Sequence, residues 1–276
     1  MSTQQTPQAQ PSKAAKGQTA RERLAEAHQA ELKANARRRK VVIGVSVAAV
    51  IAVAGATTLA ISTADQGSTK SVAVAPNQPV VTPANTSGTD GTVVVYGKAD
   101  APHTLKVYED FRCPICKLLE SSAGPAVQAG ADQGTYKIEY HLAAFLDDGL
   151  GGKGSITALA AAGAALNEGT DKFKQFHDVL YANQPEEKVD GFGDVNHLLD
   201  LAAKVPGLKT EAFTKAVTEG TYLPWAKKVA DAFQSSGVRG TPTLTLDGKQ
   251  LQVFTGQGKP VTPEQYDALV RQSTGG

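Results

Sequence analysis

The residues best suited to chemistry in this 276-residue chain are its two cysteines, which occur in the sequence Cys113-Pro114-Ile115-Cys116. A strand-like segment precedes them and a helix-like segment follows, so we predict that a helix begins at Cys113. Unpaired N–H groups and the macrodipole at a helix N-terminus favour an anion and lower the pKa of a thiol placed there. The pair is predicted to be a redox centre in which Cys113 attacks and the less exposed Cys116 resolves the mixed disulfide.

Three charged side chains directly before the cysteines are candidates for supporting roles. Arg112 is expected to place a cation beside Cys113. Glu109 or Asp110 is a candidate proton acceptor for Cys116, and each is equally plausible as a solvated loop charge.

The two residues between the cysteines also support the site. Pro114 occupies the first helical turn, where its missing N–H costs nothing. Ile115 has no group that could donate a hydrogen bond to the sulfur of Cys113. The centre is therefore expected to work without a donor from its middle pair.

A structural role for the cysteines is the competing interpretation. Zinc needs about four ligands, and the chain offers the cysteine pair plus four histidines without short metal-ligand spacing: His103, His141, His177 and His197. A structural disulfide between Cys113 and Cys116 would close too short a loop to constrain the unfolded chain much. Redox activity is favoured over both, and neither a metal nor a cofactor is assigned to the pair.

The rest of the C-terminal region reads as a mixed α/β domain with a helical block in its middle. Strands are predicted at 92–96, 104–110 and 136–143, a helix at 113–122, and helices throughout 155–236, interrupted at Gly169, Pro185, Pro206 and Gly220. The N-caps predicted for that block from residue type are Ser155, Asp171, Asp194 and Thr210. A hairpin over 243–254 turns at Asp247-Gly248, and a last helix with a capping box runs from Thr262 to about Gln272.

The N-terminal region has the charge pattern of a membrane anchor. Residues 1–40 carry 9 basic and 3 acidic side chains, and residues 41–64 carry none, although the whole chain has a net charge of only +1. A helix over 41–64 is long enough to cross a bilayer, so we predict a transmembrane helix there. A buried soluble helix and a cleaved signal peptide are the alternatives; the length and the lack of an amphipathic face favour an uncleaved anchor.

The basic cluster Arg37–Lys40 before the apolar segment sets the predicted orientation. Basic flanks stay in the cytoplasm, so the domain after the segment is predicted to lie outside the cell membrane. Residues 65–91, rich in Pro, Ser and Thr, are predicted to be a flexible linker. A single domain over 92–276 follows, and the 41% hydrophobic content of the chain is sufficient for its core. No nucleic-acid partner is expected from this charge pattern.

Residues 92–276 resemble the thioredoxin-fold family of DsbA-like thiol–disulfide oxidoreductases, in particular the membrane-anchored forms of Gram-positive and actinobacterial envelopes. The resemblance is carried by the segments at 108–116 (YEDFRCPIC), 173–181 (FKQFHDVLY) and 237–244 (GVRGTPTL). It implies a thioredoxin fold with a helical insertion at about 150–236. Two departures are the absence of His between the cysteines and Val107 at the position where thioredoxins have a buried acid.

The resemblance also implies that Pro242 is a cis-proline facing the cysteines. A proline that opens a strand cannot donate to the ladder, and Gly240 permits an unusual turn before it. A cis Thr241–Pro242 bond would leave backbone groups of Thr241 free to bind a substrate strand beside Cys113. An ordinary trans proline at a sheet edge is the alternative.

The function predicted from these residues is dithiol oxidation of cysteine-containing secreted or envelope polypeptides by a Cys113–Cys116 disulfide. The resemblance implies a membrane quinone-linked thiol oxidoreductase as the electron acceptor that regenerates the disulfide. Two alternatives stay open: a disulfide reductase or isomerase at the same centre, and a tethered metal-binding module with the two thiolates as soft ligands.

Overall fold

The computed structural model describes residues 78–88 and 90–275, and they build around a six-stranded mixed sheet. The strands are β1 Thr86–Ser87, β2 Val93–Tyr96, β3 His103–Asp110, β4 Tyr136–Ala143, β5 Thr243–Leu246 and β6 Lys249–Gln250. Their order across the sheet is β1-β2-β4-β3-β5-β6, with β3 and β4 parallel and every other neighbouring pair antiparallel. This is a thioredoxin sheet with one short strand added at its edge.

Nine helices surround the sheet within the described residues. They are α1 Pro114–Ser122, α2 Gly124–Gln133, α3 Leu146–Leu150, α4 Gly154–Glu168, α5 Thr170–Ala182, α6 Val195–Ala202, α7 Glu211–Glu219, α8 Leu223–Ser235 and α9 Pro263–Thr274, with a 3-10 turn at Gly191–Gly193. Helices α1 and α2 connect the parallel strands β3 and β4, a connection that a tight hairpin cannot make. Helices α3 to α8 form the helical insertion between β4 and β5.

Strand β4 shows how the sequence places the core. Its residues alternate between buried and partly exposed, and Tyr136, Ile138, Tyr140 and Leu142 are all buried. Period-two alternation is what one buried face of a sheet requires. Strand β3 differs, because its carboxyl half is buried without interruption from Val107 to Asp110.

Helix α4 packs so closely against α8 that only small side chains fit along part of it. The helix is rich in alanine and almost fully buried. A Cβ atom added at Gly163 would lie 2.5 Å from the indole ring of Trp225, which is itself fully buried. The small residues of α4 therefore let the insertion form a second helical layer on the domain.

Several predicted element boundaries are confirmed. Strand β4 has the predicted bounds, and Asp194 and Thr210 cap α6 and α7 by accepting hydrogen bonds from backbone N–H groups. Thr262 and Gln265 form the predicted capping box at α9.

Other predicted boundaries are wrong. Helix α4 begins at Gly154 and α5 at Thr170, so Ser155 and Asp171 lie inside their helices and are not N-caps. Helix α2 is missing from the prediction because Gly124-Pro125 is typical of the end of a helix. It does end α1, but the proline also suits the first turn of the next helix. The final strand is shorter than predicted because pairing after Gln250 is reduced to one bridge between Phe254 and Pro260.

The sheet also reaches into the segment predicted to be a linker. Strand β1 pairs with β2, and Asn85 Nδ2 donates to the carbonyl oxygen of Leu166 at 2.8 Å. Two residues are too few to show a strand pattern in sequence. The predicted transmembrane helix at 41–64 and the arm before it lie outside the described residues. Within the described ranges, the helices are too short or too polar to qualify as membrane spans.

Candidate active site

Cys113 lies in the turn that joins β3 to α1, at the carboxyl end of the buried strand. Its backbone N–H donates to the carbonyl oxygen of Asp110 at 2.9 Å, and Cys113 is the N-cap of α1. Its sulfur accepts a hydrogen bond from the backbone N–H of Cys116 at 3.4 Å. Pro114 occupies the first helical turn as predicted. The helix start therefore presents its unpaired N–H groups to this sulfur.

The two thiols, both free in this structure, differ in acidity. The hydrogen bond from the Cys116 thiol, aided by the side chain of Thr241 and by backbone N–H groups, outweighs burial and lowers the pKa of Cys113 to about 7. Burial, followed by the hydrogen bond and the charge of Cys113, raises the pKa of Cys116 well above its ordinary value. Cys116 is also the less exposed, at 1% against 6%. The pair thus combines a readily ionised sulfur with a buried thiol that keeps its proton.

Thr241 and Pro242 lie opposite Cys113, and the peptide bond between them is cis. The Cys113 thiol donates to the carbonyl oxygen of Thr241 at 3.4 Å. Strand β5 brings them there because it pairs with β3, with Thr243 in register with Tyr108. The hydroxyl oxygen of Thr241 is buried and has no hydrogen-bond partner among the described residues. The structure therefore brings together the two segments that the sequence singles out, Cys113–Cys116 and Thr241–Pro242.

Arg112 does not act as a cation beside Cys113, which corrects the prediction. Its guanidinium is buried, forms an ion pair with Asp147, and donates to the carbonyl oxygens of Gly151 at 2.9 Å and Glu187 at 3.2 Å. The side chain reaches into the helical insertion because acceptors there compensate its buried charge. Arg112 joins the active-site turn to the loops around α3 and the 3-10 turn.

Asp110 is buried, so its interpretation as a solvated loop charge is wrong. Its carboxylate accepts hydrogen bonds from the backbone N–H of Arg112 at 2.9 Å, the hydroxyl of Ser155 at 2.6 Å and the backbone N–H of Leu146 at 3.3 Å. Burial raises its pKa to about 6 despite these bonds. Asp110 therefore holds the turn against α3 and α4.

Glu109 is also buried rather than solvated, and its partner is His177. The carboxylate lies 2.6 Å from Nε2 of His177, and both side chains are at most 1% exposed. Its negative charge contributes to the raised pKa of Cys116. Glu109 is thus the acid that acts electrostatically on the resolving thiol, although the structure gives no direct hydrogen bond between them.

The sequence analysis did not assign His177 a role in the site. His177 follows Phe173 by four positions and precedes Leu180 by three, so it belongs to the buried face of α5. A histidine on an otherwise apolar helix face was the available signal. The partner could not be identified because Glu109 is 68 positions away in the chain.

Gln184 is a second residue that sequence reasoning missed. Its buried amide nitrogen donates to the carbonyl oxygens of Phe111 at 2.8 Å and Cys113 at 3.0 Å. The backbone carbonyl oxygen of Gln184 accepts a hydrogen bond from Nζ of Lys117 at 3.1 Å. Gln184 follows α5 in an irregular segment, where no periodic pattern marks it. It fixes the two carbonyl groups on either side of Arg112.

Two apolar side chains of α1 face solvent beside the cysteines. Ile115 is 44% exposed and Leu118 is 47% exposed. Exposed apolar surface next to a reactive group is typical of a site that binds a polypeptide. The side chain of Ile115 carries no donor group, and the backbone N–H of this residue helps to lower the pKa of Cys113.

One group of potential metal ligands occurs among the described residues, and it contains neither cysteine. Donor atoms of Glu109, Glu120 and His177 lie within 4.8 Å of one another. Both ring nitrogens of His177 already lie within hydrogen-bond distance of carboxylates, Glu109 on one side and Asp178 on the other. The group is therefore an ion-pair network, and we assign no metal to it.

The sheet order and a dithiol at a helix N-terminus opposite a cis-proline define the thioredoxin class of redox protein. Residues 89–272 match a family model described as thioredoxin, so the chain belongs to that family. It is 30% identical over 161 residues to disulfide bond formation protein D of Bacillus subtilis, covering 58% of this chain and 70% of that protein.

Solved structures extend this result. The chain is similar to the reduced form of the disulfide bond oxidoreductase DsbG from Mycobacterium tuberculosis, with a TM-score of 0.57, 26% identity, and coverage of 67% of this chain and 89% of that one. For oxidised BdbD from Bacillus subtilis the TM-score is 0.56 at 25% identity, with 71% and 100% covered. The protein is a DsbA-like thiol–disulfide oxidoreductase of the thioredoxin superfamily.

Proposed function

We propose that the protein is a dithiol oxidase that transfers the Cys113–Cys116 disulfide to cysteine-containing polypeptides. A substrate thiolate attacks the sulfur of Cys113, the bond to Cys116 breaks, and Cys116 leaves with the electron pair and takes up a proton. A second substrate thiolate then attacks the substrate sulfur of the mixed disulfide, and Cys113 leaves as a thiolate. The substrate loses two electrons and the protein gains them.

The observation that carries this proposal is the position of the Cys113 sulfur between the N–H of Cys116 and the carbonyl of Thr241. The N–H stabilises Cys113 as a leaving thiolate. The Thr241 backbone offers a place where an extended polypeptide can pair, and the exposed side chain of Ile115 follows Cys113 by two positions on α1. The direction of electron flow is supported by the relatives, which include proteins named for disulfide bond formation.

Reduction or isomerisation of disulfides is the second candidate, because the acidity of Cys113 makes the centre only weakly oxidising. A thiol pKa of about 7 in place of 9 stabilises the reduced form at pH 7 by only about 0.4 kcal/mol, which corresponds to about 9 mV. The potentials of thioredoxin and DsbA differ by about 150 mV. The ionisation of Cys113 alone therefore adds little oxidising power.

We further propose that the domain works outside the cell membrane, held by a single-pass helix at 41–64 with the N-terminus in the cytoplasm. The basic cluster at 37–40 and the uncharged segment after it support this placement. Disulfides form and persist outside the cytoplasm, which suits an oxidase. The reduced centre would pass its electrons to a membrane quinone-linked thiol oxidoreductase.

Equilibration with glutathione buffers distinguishes the two directions. For an oxidase we expect a reduction potential between about −180 and −120 mV, and a value near about −270 mV would instead identify a reductase. In intact cells, the variant Cys116→Ser should accumulate mixed disulfides with extracytoplasmic proteins. The variant carrying both Cys113→Ser and Cys116→Ser is the matched control and should trap nothing. If Cys116→Ser also traps nothing, the exchange function is wrong.

A protease added to wall-stripped cells tests the placement. The domain should be digested while the membrane is intact, since the proposed topology puts it outside. Protection of the domain until the membrane is dissolved would contradict the proposed topology.

A further inference from the structure

A small aromatic cluster lies apart from the main core, close to the candidate site. Its buried members are Tyr108 on β3, Ala143 at the end of β4 and Phe233 on α8, and Phe145 and Val238 pack against them. The rings of Phe145 and Phe233 are stacked with their centres 5.7 Å apart, and Tyr108 meets Phe233 edge to face at 6.3 Å. Phe233 thus joins the two other rings, and we call the group the α8 cluster.

The α8 cluster contacts both halves of the candidate site. Tyr108 lies on the strand that leads to Cys113. Phe145 follows β4, which is parallel to β3 and ends at the same edge of the sheet. Val238 belongs to the loop at 236–242, which joins α8 to β5 and contains the cis peptide bond. The cluster therefore connects the cysteine turn with the loop that faces it.

Side-chain packing holds the first half of this loop through Val238. A Cβ atom added at Gly237 or Gly240 would meet no other atom within 4 Å, and Arg239 is exposed. Val238 is thus the apolar side chain with which residues 237–240 contact the domain. Such a contact fixes a loop only if the surface beneath it is itself rigid.

The hydrogen bonds of this loop are either local or dependent on the thiol. The backbone N–H of Val238 donates to the hydroxyl of Ser236 at 3.2 Å. The hydroxyl of Thr243 donates to the carbonyl oxygen of Gly240 at 2.8 Å. The bond that the carbonyl oxygen of Thr241 accepts needs the proton of the attacking thiol, which a disulfide lacks. Of the contacts that the structure describes, the packing of Val238 therefore anchors this part of the loop once the cysteines are oxidised.

Helix α8 gives the cluster a rigid base. Trp225, Val229 and Phe233 recur every four residues and are all buried, so they form one stripe along the helix. The indole ring of Trp225 lies against Gly163 of α4, and its Nε1 donates to the carbonyl oxygen of Gly91 at 2.7 Å. The helical insertion therefore fixes the position of Phe233.

We propose that Val238, held by the α8 cluster, determines the preference of the centre for polypeptides over small thiols. Val238 keeps the Thr241–Pro242 backbone at the distance from Cys113 at which an extended polypeptide can pair with it. A small thiol attacks the sulfur without such pairing, so its reaction does not depend on the loop. Val238 and Phe233 are positioning residues, because they act through the loop. The inference rests on the proposed exchange reaction.

The test measures how fast the oxidised protein reacts with a dithiol peptide and with dithiothreitol in single-turnover stopped-flow mixing. In Val238→Ala we expect the peptide concentration at half-maximal rate to rise about tenfold with an unchanged maximal rate constant, because binding is weakened and the chemistry is not. The reaction with dithiothreitol should keep its wild-type rate constant. Val238→Ile retains a β-branched apolar side chain against the cluster and should behave as wild type.

Two further variants separate positioning from a general loss of stability. Val270→Ala removes the same two methyl groups from a buried position of α9 in the main core. It should lower the unfolding free energy but leave both reactions unchanged. Phe233→Leu disturbs the α8 cluster from the helix side, and it should raise the half-maximal peptide concentration by a smaller factor than Val238→Ala.

Several results would overturn the inference. They are a wild-type response of Val238→Ala to the peptide, an equal slowing of its reaction with dithiothreitol, and the same rise in Val270→Ala. An alanine-like defect in Val238→Ile or a wild-type response of Phe233→Leu would also overturn it. All of these leave the exchange function intact, whereas a wild-type protein that reacts with neither the peptide nor dithiothreitol would overturn the proposed function itself.

Discussion

The backbone N–H of Cys116 points at the sulfur of Cys113 across 3.4 Å. A single turn of helix thus uses the resolving residue to stabilise the ionised form of the attacking one. The same turn carries the side chain of Cys116 inward, where burial and the nearby charge of Glu109 keep its thiol protonated. The asymmetry that disulfide exchange needs therefore follows from helix geometry and burial, and it does not require the charge of Arg112.

The pH dependence of stability should report the acidity of Cys113. The pKa of this thiol is lowered to about 7 in the folded protein from 9.0, so its contribution is complete above about pH 9 and is lost as the pH falls to about 7. Relative to Cys113→Ser, the unfolding free energy of the reduced protein should rise by roughly 2 kcal/mol between about pH 6 and about pH 8.5. Chemical denaturation of both proteins measures this.

The variant Cys113→Ser is a suitable reference because serine keeps a cap acceptor at the start of α1. Asp110, whose pKa is raised to about 6, titrates in both proteins, so its effect cancels. A constant difference in stability across this pH range would contradict the assigned acidity.

Breaking the buried ion pair of Arg112 should reduce stability without changing the acidity of the thiol. In Arg112→Met, Asp147 loses its cation in a largely enclosed position, and we expect a loss of about 3 kcal/mol in unfolding free energy. Lys106→Met removes an exposed partner of Glu139 and should cost less than about 1 kcal/mol. Thermal or chemical unfolding measures the stability of both variants, and titration of the thiolate absorbance measures the pKa of Cys113. A marked rise in the pKa of Cys113 in Arg112→Met would restore the original prediction for Arg112.

Removing the amide of Gln184 should loosen the turn that holds Cys113. Gln184→Met leaves the carbonyl oxygens of Phe111 and Cys113 without this donor, and we expect a loss of about 2 kcal/mol. The pKa of Cys113 should move toward its ordinary value, because the helix start becomes less ordered. The matched change Gln175→Met, at an exposed position of α5, should alter neither quantity by a measurable amount. Equal behaviour of the two variants would exclude a positioning role for Gln184.

The sequence predicted the site best where the signal was local. The spacing of Cys113 and Cys116, the proline in the first turn of the helix, and the strand before it are all contained within a few positions. Thr241 and Pro242 were predicted through a family resemblance, and pairing of β5 with β3 explains why they face Cys113.

The supporting residues were harder to predict because their partners are distant in the chain. Arg112 contacts Asp147, and Glu109 contacts His177, across 35 and 68 positions. A charged residue near a cysteine is consistent with either a solvent-exposed or a buried position, and only tertiary packing decides between them. Helix α2 was missed for a different reason: glycine and proline together both end one helix and begin another.

The most direct test of the central claim is a pH titration of the thiolate absorbance of the reduced protein. We expect a transition with a midpoint at about pH 7 that disappears in Cys113→Ser. A single transition near the ordinary pKa of a cysteine thiol, unaffected by that substitution, would contradict the assignment of Cys113 as the reactive sulfur.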